Sequence, residues 1–253
     1  MPHITLTTLS RIPLIAPGDD LAAIILRAAA DDGLHFGAGD IVVVAQKIVS
    51  KSEGRLVPIA SVVPGPAALE LANATDKDPR LAQLILDEAS SVLRRKPGVI
   101  IVRHKLGHVG ANAGIDQSNV EHIDGEQALL LPRDPDASAA ALHNALSAAA
   151  ACHVGVIICD SMNRPWRLGT IGGAIGCAGL EVLDDRRGQH DMFGRELKVT
   201  MINRADSIAA MATLIMGESI ERTPVAVVRG FAVDAHHGCA ADIIRPAADD
   251  LFN

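Results

Sequence analysis

The stretch Asp40-Ile41-Val42-Val43-Val44-Ala45-Gln46-Lys47 carries the reading of the fold. Its five consecutive apolar residues, four of them β-branched, leave no polar face, which is the pattern of a strand covered on both sides by other layers. Gln46 and Lys47 follow at its C-terminal end. In layered α/β proteins ligands gather outside the ends of such strands, so a lysine here carries more weight than one on a helix surface, and Lys51 lies within reach of it.

Upstream, Asp19 or Asp20 can cap a helix through Leu21, Ile24, Ile25 and Ala28 that stops near Gly33. Downstream, residues 67–95 read as helix-rich with a break at Asp78-Pro79, because proline restricts its predecessor and removes an amide donor. Arg94-Arg95-Lys96, ahead of Pro97-Gly98, reads as a solvated helix end. Val99 to Val102 is a strand followed by a long polar loop, His104 to Asn119, and loops of that length are often functional. A helix over 137–151 leads into the strand Val154 to Ile158, terminated by Cys159, Asp160 and Ser161.

Beyond it, the Gly- and Ala-rich run from Gly169 to Gly179 signals close backbone approach. Arg186 to Asp191 reads as a turn between short strands, Ala205 to Ile215 as a helix capped by Gly217, and Val225 to Val228 as a strand. The tail after Gly230 is polar and irregular. Strands alternating with helices predict an α/β or mixed α+β fold, and no repeat or interdomain linker divides residues 1–253.

The core is aliphatic, with four Phe, one Trp and no Tyr. That inventory offers no stacking platform for single-stranded nucleic acid, and a net charge of −7 does not suit phosphate backbones. No nucleic-acid partner is expected. Four cysteines without a CxxC pair point to a reduced, cytoplasmic compartment. The first residues lack a secretory signal pattern, and the most apolar segment, 148–159, is too short to span a bilayer, so no membrane association is expected.

Two acids stand out by position: Asp116 in the loop after one buried strand, and Asp160 at the end of another. Hard divalent cations prefer carboxylate and hydroxyl oxygens and are completed by substrate phosphates. Asp160-Ser161 offers both oxygen types in sequence, although an aspartate at a strand end serves equally well to cap the next turn. There is no GxxxxGK[ST], and Gly169, Gly172, Gly173 and Gly176 do not fit GxGxxG. A bound nucleotide would therefore be held by lysines and metals. His104 and His108 lack an HExxH glutamate, His236-His237 with Cys239 lacks a structural zinc spacing, and neither Ser161 nor Ser219 sits in a GxSxG elbow. Cys159 reads as a small buried hydrophobe.

Several segments in order resemble the coenzyme F420-0:L-glutamate ligase family: Ile12-Pro13-Leu14-Ile15 with Pro17-Gly18-Asp19-Asp20-Leu21, Gln46 to Lys51, and Asn112 to Asn119. The likeness continues through Asp160-Ser161, Arg164-Pro165-Trp166-Arg167, Ala174-Ile175-Gly176, Gly194 to Leu197 and Met216-Gly217-Glu218, covering about residues 10–230. It implies a two-lobed catalytic unit in an intertwined homodimer. It also implies GTP-dependent addition of L-glutamate to coenzyme F420-0, with γ-linked extension, through an acyl phosphate. Two divalent cations, Mn²⁺ or Mg²⁺, and K⁺ assist.

Residue by residue, the resemblance implies catalytic and metal roles for Asp116, Asp160 and Glu218, with Ser161 as a further metal ligand. It implies GTP contacts at Ile12, Pro13, Leu14, Ile15, Gln46, Lys47, Lys51 and Asn119, and along Met216, Gly217, Glu218, Ser219, Ile220, Glu221, Arg222 and Thr223. Arg164 and Arg167 suit a substrate carboxylate or phosphate as well as a surface salt bridge. The flavin-reductase-like C-terminal domain of some members is not expected. Met162-Asn163 and Ile171-Gly172 depart from the family pattern and motivate the first of two other readings; the intact Asp116, Asp160 and Glu218 argue against the second. One is a related GTP- and metal-dependent amino-acid ligase acting on another carboxylate, and the other is a non-catalytic GTP-binding regulator.

Overall fold

The computed structural model describes residues 3–122, 125–231 and 238–251; the His236-His237 pair lies outside them. The chain order begins β1 (Thr5–Thr8), α1 (Leu21–Asp31), β2 (Asp40–Ala45), α2 (Gln46–Ser52), β3 (Leu56–Pro58), α3 (Pro66–Thr75) and α4 (Pro79–Glu88). It continues with β4 (Ala89–Lys96), β5 (Val99–His104), β6 (Val109–Ala111), β7 (Gln127–Leu129) and α5 (Pro135–Ala150). Then come β8 (Val154–Asn163), β9 (Thr170–Ala178), β10 (Leu183–Asp185), β11 (Met201–Asn203), α6 (Arg204–Met216) and β12 (Val225–Arg229). The α/β expectation holds, as a mixed fold. Among these residues no helix is long and apolar enough to cross a membrane.

The main sheet has the order β1-β12-β2-β8-β9. β2 and β8 run parallel, from Asp40 opposite Val154 to Ala45 opposite Cys159, while the other pairings are antiparallel. Val42 and Val44 join α1 and α5 in one core, whereas Ile41 and Val43 join α6 in a second on the opposite face. Burial on both faces accounts for the unbroken apolar run. At the start of β2, the buried Asp40 carboxylate takes both Arg229 nitrogens, Nε and Nη2, at 2.7 Å, which satisfies a charge that could not otherwise be buried.

α1 and α5 begin where their caps dictate: the side chains of Asp20 and Asp134 accept from Ala23 N and Ala137 N. The helix expected over 137–151 thus starts two residues earlier, at Pro135. A satellite unit, β4-β5-β6 with α3 and α4, has its own core of Ala68, Leu71, Ile85, Ile100 and Val102, and the β3-β7 ribbon connects it.

Four expectations require correction. Residues 67–95 are not helical to the end: Arg94-Arg95-Lys96 closes strand β4, because pairing with β5 overrides local helix preference. The loop from His104 to Asn119 contains β6 and a short turn of helix at Asn112–Gly114. Cys159 to Ser161 does not end its strand; after a register shift at Ile158/Cys159, β8 continues to Asn163 because β9 pairs with it as far as Thr170. The connection after Asp185 is longer than a turn and carries a bridge between His190 and Glu196 before β11.

The glycine-rich run is β9 itself. A Cβ on Gly172 would meet the Ala209 carbonyl of α6 at 2.5 Å, and one on Gly176 would strike the Pro135 backbone of α5. The expected close approach is therefore helices on both faces of one strand.

Candidate active site

Sheet topology gathers the marked segments at one edge. The parallel strand β2 ends there, and the same edge receives the end of β1 and the start of β12, both antiparallel to their neighbours. Leu9 N donates to Val225 O and Ala45 N to Pro224 O, both at 2.9 Å. Segment 12–15, the first turn of α2, Asp160-Ser161 of β8 and loop 217–223 accordingly share that edge. Asp116 arrives from the satellite unit, fixed by two backbone hydrogen bonds with Leu129 of β7, at 2.9 and 2.8 Å.

Lys47 and Asp116 meet at this junction. Lys47 Nζ lies 2.8 Å from Asp116 Oδ2 and 3.1 Å from Ser118 Oγ, and that hydroxyl donates to Asp116 Oδ1 at 2.7 Å. Lys51 Nζ donates to the Asn119 carbonyl at 2.9 Å. Its pKa lies below the ordinary lysine value, through burial first and repulsion from Lys47 second.

Asp160 has the most perturbed acid in the cluster. Burial pushes its carboxyl up to about 7, and the Asp116 charge adds to the rise. The Ser161 amide, donating to Asp160 Oδ1 at 2.8 Å, opposes it, as do Lys47 and the nearby Gln46 amide. Gln46 is buried; its Oε1 accepts from Ser50 Oγ at 2.9 Å, while Nε2 has no hydrogen-bond partner among the described residues. An unsatisfied buried donor beside an acid is suited to a ligand oxygen.

A cleft of about 160 Å³ opens here, lined by Asp116, Asp160, Ser161, Met162, His104 and His108 among others. Two carboxylates and a hydroxyl converge on it, the hard oxygen donors that Mg²⁺ or Mn²⁺ takes while leaving positions for water or phosphate. The residues fit a divalent cation in donor type. Among the described residues, however, no three His, Cys, Asp or Glu side chains form a metal-holding group. Glu218 is the outlier: it does not line the cleft, is exposed, and has Thr170 Oγ1 3.4 Å from each carboxylate oxygen.

The remaining marked residues divide by exposure. Ile12 is in the core, Ile15 packs against it, and Leu14 is 72% exposed. Met216 is buried, and its carbonyl accepts from Thr223 Oγ1 at 2.7 Å; Ser219 N donates to Glu221 Oε2 at 2.8 Å, so loop 217–223 is held by its own side chains. Arg164 and Arg167, on the exposed connection between β8 and β9, form no ion pair among the described residues, contrary to the salt-bridge alternative.

Sequence reasoning missed Ser118, whose place two residues after Asp116 is the signature of a side chain-to-backbone turn. It also missed His108 as a cleft wall, since the histidines were weighed only as zinc ligands.

Residues 10–230 match the family model described as F420-0:Gamma-glutamyl ligase. The chain is 40% identical over 251 residues to the coenzyme F420:L-glutamate ligase of Methanothermobacter thermautotrophicus, with 98% of each chain covered. It is 42% identical over 214 residues to that of Methanocaldococcus jannaschii, covering 85% of this chain and 84% of the relative. It is 41% identical over 242 residues to that of Methanopyrus kandleri, covering 94% and 93%. With a family match spanning four of the five main-sheet strands, the satellite unit and every cleft acid, this chain belongs to the F420-0:gamma-glutamyl ligase family.

Proposed function

We propose that this protein is a GTP-dependent ligase that joins L-glutamate to coenzyme F420-0 and extends the product with γ-linked glutamate. The observation that carries the reading is the convergence of Lys47, Asp116, Asp160 and the unsatisfied Gln46 amide at one sheet edge of a family member. Curated relatives across most of the chain are named coenzyme F420:L-glutamate ligases.

The chemistry assigned is acyl activation. An acceptor carboxylate oxygen attacks the γ-phosphorus of GTP and GDP leaves; the glutamate amine then attacks the acyl phosphate carbonyl, an amide bond forms, and phosphate departs with the amine proton passing to solvent or base. Such transfer depends mainly on positioning and charge neutralisation. Asp116, Asp160 and Ser161 would hold the divalent cations, with Glu218 supplying a further carboxylate, and these cations would neutralise phosphate charge. Lys47 and Lys51 carry positive charge to the same place, and Gln46 donates to a phosphate or carboxylate oxygen. The segments 12–15 and 216–223 flank that edge and are assigned to GTP together with Asn119; K⁺ is assigned as an auxiliary ion.

We place the protein in the cytoplasm, which suits its four free cysteines. A two-lobed homodimer is supported by large exposed apolar side chains on two segments: Trp166 at 82% and Leu168 on one, Met192 at 88% and Phe193 at 86% on the other. A second reading, ligation of glutamate to another carboxylate, is favoured by one observation: the departing residues Met162 and Asn163 line the cleft. Incubation with GTP, Mn²⁺, L-glutamate and F420-0 tests both. A glutamyl mass increment on F420-0 is expected; turnover with other acceptors alone would favour the second reading, and GTP binding with no phosphate release under any condition would overturn both.

A further inference from the structure

Beside the reaction cleft lies a second chamber of about 380 Å³, lined by Leu106, His108, Arg133, Pro135, Asp136 and Ile175 among others. His108 and Ile175 line both spaces, so the two adjoin at these residues. The acids around the chamber are already engaged. Asp134 caps α5 through Ala137 N, and Asp136 accepts from Cys177 N at 2.8 Å, Ala240 N at 2.7 Å and Ala241 N at 3.2 Å.

Arg133 differs from them. Its backbone N donates to Glu53 Oε2 at 2.8 Å, but its guanidinium, on an exposed residue at the chamber rim, forms no hydrogen bond or ion pair among the described residues. The backbone under it is well fixed. Glu53 Oε1 also accepts from Ser138 Oγ at 2.7 Å, and Glu53 closes the helix α2 whose first turn carries Gln46 and Lys47. Arg133 is thus tied through its backbone to the C-terminal end of the helix that presents Lys47.

We propose that this chamber is the amino-acid subsite and that Arg133 receives the side-chain carboxylate of the incoming glutamate, its amine directed toward the reaction cleft where the two spaces adjoin at His108 and Ile175. The proposal rests on the glutamate-ligase reading and adds the source of its amino-acid specificity. Glutamate brings two carboxylates to a site whose lysines must neutralise phosphate, so it needs a cation of its own outside the cleft. An unengaged guanidinium offers paired donors in the geometry of a carboxylate. A neutral side-chain amide in place of the carboxylate would lose that charge-assisted pair, which separates glutamate from glutamine.

The test uses Arg133→Gln and Arg133→Lys beside the unaltered protein, with two readouts: steady-state constants for glutamate, glutamine and GTP, and calorimetric titration of L-glutamate in the presence of GDP and Mn²⁺. Arg133→Gln is expected to raise both KM and Kd for glutamate about tenfold or more, the scale of one lost charge-assisted contact. KM for GTP should stay unchanged, the preference for glutamate over glutamine should narrow, and Arg133→Lys should recover part of the loss. Equal glutamate constants in Arg133→Gln and the unaltered protein would overturn the subsite while leaving the ligase reading intact. Arg133-dependent glutamate binding without glutamyl product would support the subsite and overturn the ligase reading. If the unaltered protein neither bound glutamate nor turned it over, both would fall.

Discussion

The Lys47 ammonium lies 2.8 Å from Asp116 Oδ2, and the two residues come from different parts of the architecture: α2 at the end of a main-sheet strand, and the segment that the satellite unit presents against β7. Both side chains are about a quarter exposed, so the pair contributes little to stability, under about 1 kcal/mol. Its value lies in placing a cation and an anion where phosphate charge must be managed. Lys47→Ala is therefore expected to lower GTP-dependent turnover about 100-fold, with the melting temperature shifted by no more than a few degrees. Phosphate release and calorimetric melting check it; normal turnover would remove Lys47 from the reaction.

Asp160 makes the opposite prediction about stability. Its folded pKa of about 7 lies above the ordinary 3.8, so the folded state holds a proton that the unfolded chain has released between those values. Stability drawn from this group falls as pH rises from about 4 to 7 and stays lost above it. Asp160→Asn should therefore be more stable than the unaltered protein at pH 8 in chelator, by about 1–4 kcal/mol, and inactive. The difference should vanish near pH 4. Urea unfolding at the two pH values measures it, and an equal gap at both would refute the buried-carboxylate origin.

Much of this arrangement was legible because strand ends are written in local pattern: DIVVVA gives way to Gln46-Lys47, and the apolar run 154–158 gives way to Asp160. What was illegible came from pairing partners. The polar pair Asp160-Ser161 looks like a terminus, yet β9 keeps both residues in register. Arg94 to Lys96 look like a helix end until Val99 to Ile101 is seen opposite. His108 and Arg133 carry no shared motif and meet at one chamber only through the tertiary fold. Glu218 was marked by resemblance alone and stands outside the cleft.

Gly172 gives a packing prediction. Adding a methyl places it 2.5 Å from the Ala209 carbonyl and the Thr213 side chain of α6, and a backbone oxygen inside a helix cannot step aside. Gly172→Ala should cost about 1–3 kcal/mol, read as a lower urea midpoint with unchanged slope. Since α6 leads directly into loop 217–223, the same variant should weaken GTP binding; a lower midpoint with unaltered GTP affinity would uncouple the helix from the loop.

Glu88 links the satellite unit to the cleft wall, and its pH dependence has the reverse sign to that of Asp160. At the end of α4, its Oε2 lies 2.6 Å from Arg55 Nη2 and 3.5 Å from His104 Nε2, while Arg55 Nε donates to the Leu131 carbonyl at 2.8 Å. His104 and Leu131 both line the cleft. His104 first, and then Arg55, hold the Glu88 carboxyl below its ordinary 4.5 against the opposing effect of burial. A depressed folded pKa contributes stability that is present above the ordinary value and is lost as pH falls through the folded one. Glu88→Gln should cost about 2 kcal/mol near pH 7, because Arg55 keeps its charge in a mostly buried position after losing its partner. The gap between variant and unaltered protein should close as the pH drops well below 4.5. Urea midpoints across pH 3 to 7 would show it, and a gap that stayed constant over that range would mean that Glu88 supports the cleft wall through packing rather than through its charge.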